Sequence, residues 1–183
     1  VPASVRSVCE SMVLDVAGLC VAAAGEDYVS AVIASLDGDG PCTLLGHQRG
    51  LDTTGAALVN GTAAHGEDFD DSFEGTPVHA GAVVVPAVLA ACERFGRGGA
   101  DALLGIAVGA ELMCRMALVA SGIIEYLAEG TWTKRLHAGW AAHSGVRAAL
   151  LAAHGILGPR TVIEGEHGFF HAFAAPAVTP DYS

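Results

Sequence analysis

Apolar residues return at helical intervals along most of the chain. Val5, Val8, Met12, Val16, Leu19 and Ala23 follow three- and four-residue steps, the pattern of an amphipathic helix, and Gly25 ends it. Tyr28 to Leu36 reads as a second helix, closed by Asp37-Gly38-Asp39-Gly40-Pro41, with a short extended segment predicted over Cys42–Leu45. Thr54–Gly66 is mostly small and apolar and predicts a buried helix. The acidic, irregular Asp68–Pro77 predicts a loop. Ala80–Phe95 predicts a helix with Pro86 inside it as a kink, Gly96–Gly99 a turn, and Asp101 the start of a long apolar helix. Gly130–Thr133 interrupts that run, His137–Ala153 predicts another helix, and Gly155–Pro159 a turn. There is no internal repeat and no convincing β-alternation, so the predicted class is all-α.

Composition sharpens this picture. Of 183 residues 52% are hydrophobic, 16% charged and 6% aromatic, which excludes disorder and predicts a large core built by close helix packing. The most apolar stretch, Ala102–Ile124, carries Glu111 and Arg115, four apart on one face and able to pair. Two charges there argue for a core helix over a membrane span. Val1-Pro2-Ala3-Ser4 opens no basic region followed by an apolar run, predicting no signal peptide. Five cysteines without a CxxC pair give no support for zinc or an iron–sulfur cluster and read as reduced thiols of a cytoplasmic protein.

A net charge of −11 makes nucleic acid an unsuitable partner. It also requires any site for an anion to assemble its own positive charge. Lys134 is the only lysine; with Arg135 and His137 it places three cationic groups within four positions.

Three segments carry candidate chemistry. Asn60–Ser72 sets four acids, Glu67, Asp68, Asp70 and Asp71, in five positions after the small-residue helix. A solvated acidic loop with a helix cap is the plain explanation. A general base or substrate-orienting carboxylate is the functional one, with Asp68, nearest the apolar helix, the easiest to bury and perturb. Asp70-Asp71-Ser72-Phe73-Glu74 also fits the DDxxD/E pattern that holds magnesium in all-α isoprenoid synthases, though one lysine and few aromatics suit that chemistry poorly. His79, just before the Ala80 helix, is either a capping or packing residue or an imidazole placed where anions gather. Lys134, near a helix start, is badly placed for the helix dipole, and binding a carboxylate is the simplest reason for it. His47, His143, His154, His167 and His171 read as surface or packing residues.

In order along the chain, VPASVRSVCESMVLDVAGLCVAAAG at 1–25, ALVNGTAAHGEDFDDS at 57–72, HAGAVVVPA at 79–87, GTWTKRLHAGWAAHSG at 130–145 and GPRTVIEGEHGFF at 158–170 together resemble the MmgE/PrpD family, which includes 2-methylcitrate dehydratases, cis-aconitate decarboxylases and iminodisuccinate epimerases. The resemblance implies a helical bundle bearing the active site, normally joined to an α+β lid domain, with no metal or organic cofactor. It implies pocket residues Asp68, Ser72 (where a threonine is common), His79 and Lys134, with Arg135 and His137 as further substrate-binding candidates in the same motif.

Two departures accompany it. Family members carry a longer helical stretch, with a further active-site histidine, between the Glu111 helix and the Lys134 motif. Here Ala120 runs straight into Ser121, implying a discontinuity near 120–121. The second departure is the lid domain, which is expected after Ala174 and is not in this sequence, so residues 1–175 are the helical domain and 176–183 a tail or the start of that lid. The implied activity is that of a lyase acting on a small di- or tricarboxylic acid by proton removal next to a carboxylate. A 2-methylcitrate dehydratase-like reaction stands first, followed by cis-aconitate decarboxylation and iminodisuccinate epimerisation. A non-catalytic helical relative that dimerises or binds a carboxylate is the alternative outside enzymology. The expected partners are an anionic carboxylate substrate and a second copy of the chain, with no nucleic acid and no membrane.

Overall fold

A computed structural model of the chain describes residues 1–74, 76, 78–117 and 132–170. The expected junction at 120–121, the end of the apolar run, Gly130, Thr131, His171 and the tail from 176 lie outside the described residues. Among the described residues six helices form the fold: α1 (Ala3–Ala22), α2 (Asp27–Ala34), α3 (Thr53–Gly66), α4 (Ala80–Phe95), α5 (Gly99–Ala117) and α6 (Thr133–Ala153). The all-α class holds. One antiparallel pair, β1 (Cys42–Thr43) with β2 (Gly50–Leu51), was only half foreseen. The extended segment at Cys42 was expected, but its partner was not, because two residues show no alternation to read.

α3 is the axis of the bundle. Every residue from Thr53 to Gly66 is buried, possible because its side chains are small and its polar groups find partners. Asp52 caps it, accepting from the Gly55 amide at 2.6 Å. Thr62 Oγ1 donates to the Leu58 carbonyl. Asn60 accepts from the Leu45 amide at 3.0 Å and donates to the Thr43 carbonyl at 2.9 Å, binding the β1 segment to the axis. A buried amide so satisfied costs little, while an orphaned one costs about 1–3 kcal/mol. Around α3 the core is aliphatic and small: Val16, Cys20, Val29, Leu44, Leu51, Val85 and Ile106. All five cysteines are free.

α4 begins where expected and continues through the fully buried Pro86. It ends on Gly96 in the left-handed region (φ 61), where the Arg97 amide returns to the Cys92 carbonyl in the glycine-terminated pattern that satisfies last-turn carbonyls. α6 starts at Thr133, four residues before the predicted His137, so Lys134 belongs to its first turn. On α5, Glu111 and Arg115 pair as foreseen, at 2.7 Å, in solvent. Among the described residues no single helix is long and apolar enough to cross a membrane; α1 and α2 reach that length and composition only together, across a 90° bend.

α6 packs on α3 more extensively than any other pair of described elements, and the two backbones nearly touch. A Cβ on Gly61 would lie 2.7 Å from the Gly139 Cα, and one on Gly139 would lie 2.8 Å from the Thr62 amide nitrogen and collide with the Leu58 carbonyl. Gly145, on the same helix, faces open space. Gly139→Ala is therefore expected to lose about 2–3 kcal/mol through overpacking, whereas Gly145→Ala gains up to about 1 kcal/mol from helix propensity. Urea denaturation of the two variants measures the contrast, and equal effects would contradict this close approach.

Candidate active site

The end of α3 and the start of α6 meet over the acidic loop. α3 stops at Gly66, Glu67 is its C-cap, and Asp68 follows with φ 62. That left-handed position after a helix usually belongs to glycine. An aspartate tolerates it better than most side chains, and here it projects a carboxylate back toward α6. Lys134 answers it: its ammonium is ion-paired with Asp68 Oδ1. The pairing holds the Asp68 carboxyl below the usual carboxylate range, the Lys134 hydrogen bond and charge outweighing partial desolvation.

Asp68 was expected to be the buried acid; it is not. Its side chain is 55% exposed, against 0% for Asp70. The loop turns back after leaving the helix and buries its second aspartate. Asp70 Oδ2 lies 2.9 Å from His65 Nδ1, and Asp70 Oδ1 lies 3.3 Å from His79 Nδ1. The two imidazoles meet edge to face, 4.6 Å between centroids. Ligand atoms of His65, Asp68, Asp70 and His79 all lie within 4.8 Å of one another.

His79 does not cap α4, although it occupies the N-cap position. The capping acceptor is Asp71, whose Oδ1 takes the Gly81 amide at 2.8 Å. Burial pushes the Asp71 carboxyl up, partly offset by that hydrogen bond. Asp70, Asp71 and Glu74 are thus turned to three tasks: holding imidazoles, capping a helix and facing solvent. Side chains turned to separate tasks do not suit the shared magnesium site that the DDxxD/E pattern would imply.

The structure brings Asp68, His79 and Lys134 together. Ser72 is exposed. His137, one turn after Lys134, is exposed; desolvation and then the neighbouring His65 lower its pKa. Arg135 faces the other way, its guanidinium 5.1 Å over the Tyr28 ring and 4.0 Å from Glu67, where it lines a cavity of about 440 Å³ with Tyr28, Leu58, Thr62, Trp132 and Trp140. Asp68, His79 and Lys134 do not line that cavity. His65 was missed. Its signal was a histidine in the last turn of a helix expected to be buried, two residues before the acids, where burial demands a polar partner.

The MmgE/PrpD N-terminal domain profile matches residues 1–122 and 117–179, and the chain belongs to the MmgE/PrpD family. It is 32% identical to a human cis-aconitate decarboxylase over 181 positions, covering 71% of this chain and 37% of that protein. It is 27% identical to a cis-aconitate decarboxylase-like protein oryM of Aspergillus oryzae, covering 61% and 25%, and 32% identical to a cis-aconitate decarboxylase of Aspergillus terreus, covering 47% and 18%. The chain thus spans little more than a third, or less, of the length of these relatives.

The depressed Asp68 carboxyl gives a pH signature. A group whose folded pKa is lowered contributes stability above its unfolded value and loses it as pH falls through the folded one. Wild type and Asp68→Asn should therefore differ in thermal midpoint near neutrality and converge between about pH 5 and pH 2. Midpoints that stay a fixed distance apart down to acid would deny the Lys134 pairing.

Proposed function

We propose that the chain carries the helical half of the active site of a cofactor-independent lyase acting on a small di- or tricarboxylic acid. The observation that carries this reading is the junction of α3 and α6, where the sole lysine, a carboxylate at a left-handed position and a half-buried imidazole come together on an otherwise strongly acidic chain. Carbanion chemistry beside a carboxylate needs positive charge where negative charge develops. Lys134 is our choice for that partner, releasing Asp68 to hold a substrate carboxylate in its place. His79 is our choice for the acid–base group, since an unperturbed imidazole changes charge near neutrality. In a dehydration it would take the proton from carbon as hydroxide leaves; in a decarboxylation it would deliver one to the carbon that loses carbon dioxide.

The relatives' names favour decarboxylation of cis-aconitate over dehydration of 2-methylcitrate as the first substrate to try, with iminodisuccinate epimerisation third. Ser72 and His137 remain candidates for hydrogen bonds to substrate at the rim; Arg135, turned to the cavity beside Tyr28, suits a more distant part of a ligand. The reading also includes a homodimer. What supports it is the exposed apolar stripe Leu104, Val108 and Leu112 on α5, with Val8, Leu14 and Val21 exposed on α1, surfaces that helices of a second copy would cover. The alternative is a non-catalytic relative that binds a carboxylate.

The test is a panel of cis-aconitate, 2-methylcitrate and iminodisuccinate with and without chelator, on protein whose mass in solution is taken by light scattering. Chelator-insensitive turnover by a particle of twice the chain mass is expected, and Lys134→Ala should lower kcat/KM on the order of 100-fold. Unchanged turnover in that variant would remove Lys134 from the chemistry. Thermal stabilisation by a ligand without turnover would favour the non-catalytic alternative.

A further inference from the structure

A carboxylate with no exposed surface is expensive to keep, and Asp70 has only part of its hydrogen-bonding capacity met. Oδ2 is satisfied by His65. Oδ1 has no aligned hydrogen bond, and neither has Nδ1 of His79, although the two atoms face each other at 3.3 Å. An ionised carboxylate only accepts. A ring nitrogen held against it is therefore favourable only when it carries the proton. The same argument applies to His65 Nδ1 at 2.9 Å.

We propose that Asp70, clamped on its other oxygen by His65, is a positioning residue that fixes His79 as the Nδ1–H tautomer and so presents Nε2, lone pair outward, as the proton-transferring nitrogen. This deepens the lyase reading and rests on it for the role of His79. The tautomer itself is independent of any reaction. Imidazole free in water favours the opposite tautomer, with the proton on Nε2, so the preference must be imposed by an acceptor at Nδ1. His79 stands outside the regular turns of α4 and is 21% exposed, so its ring can turn the short way needed to make the bond. Such contacts are often long before a ligand arrives and tighten when the imidazole gains charge. His65 is the brace: its hydrogen bond and edge-to-face contact fix where the carboxylate and the second ring sit. Packing alone would leave His79 Nδ1 against apolar atoms rather than against a buried carboxylate. A divalent cation on the same four donors is the competing use of this cluster. It is disfavoured because the Lys134 ammonium already occupies Asp68 and would lie beside the ion.

The experiment is long-range proton–nitrogen correlation NMR on the 183-residue chain labelled with 15N-histidine, signals being assigned with His65→Gln and His79→Gln. His65 and His79 are both expected to show a protonated Nδ1 and an unprotonated Nε2. In Asp70→Ala, with backbone amide signals across the helices retained, the proton on His79 should move to Nε2. In Asp70→Asn, whose one amide oxygen accepts in place of two carboxylate oxygens, one of the two rings should keep its Nδ1 proton. A wild-type His79 protonated on Nε2 overturns the proposal, even where Asp70→Ala fails to fold. So does an unchanged His79 in a folded Asp70→Ala. Addition of one equivalent of zinc after chelator dialysis should leave both rings unchanged; stoichiometric loss of their Nδ1–H signals overturns it in favour of a metal site. Turnover plays no part in these readouts, so an inactive chain would count against the lyase reading alone.

Discussion

Two glycines decide where the lysine can be. α3 and α6 approach so closely at Gly61 and Gly139 that neither position has room for a methyl group. The helices run in opposite senses there, so the last turn of α3 and the first turn of α6 lie at the same end. His65 follows Gly61 by one turn, and Lys134 precedes Gly139 by about a turn and a half. The remaining geometry is local: a loop that leaves α3 through a left-handed aspartate, buries its second acid beneath two imidazoles and uses its third to cap α4. One interhelical contact and one short loop bring together side chains separated by up to seventy positions in the chain.

Much of this was legible in the residues because helical periodicity is a strong signal over long segments. α4 was bounded to the residue, and α3 to within one. Lys134, His79 and Asp68 were singled out by scarcity, by a helix start and by an acidic run, and these three converge. The differences are as instructive. Asp68 was expected to be the buried acid because it is nearest the apolar helix, yet burial follows the direction a backbone takes, and φ 62 turns this residue outward toward Lys134. Asp70 and His65 owe their importance to each other, and a pairing five residues apart across a helix end follows no fixed period. Arg135 adjoins Lys134 in sequence but faces a different hollow, since neighbours on a helix point about 100° apart.

Electrostatics ties the fold to the proposed chemistry. A chain with a net charge of −11 would repel a tricarboxylate over most of its surface. The acidic loop partly disarms itself: Asp68 is neutralised by Lys134, Asp70 is sheltered by imidazoles, and Asp71 is spent on a helix cap. An anion entering the junction would have to displace Asp68, the more exposed partner of that pair, to reach the Lys134 ammonium beside the half-buried His79.

The central claim is that Lys134 and His79 serve one site. It is tested most directly by titrating the 15N-labelled chain with cis-aconitate while following the Lys134 side-chain nitrogen and the His79 ring nitrogens in the same samples. The account requires both to respond along a single saturation curve with one midpoint. Responses with separate midpoints, or a response of one group with the other unmoved, would contradict it.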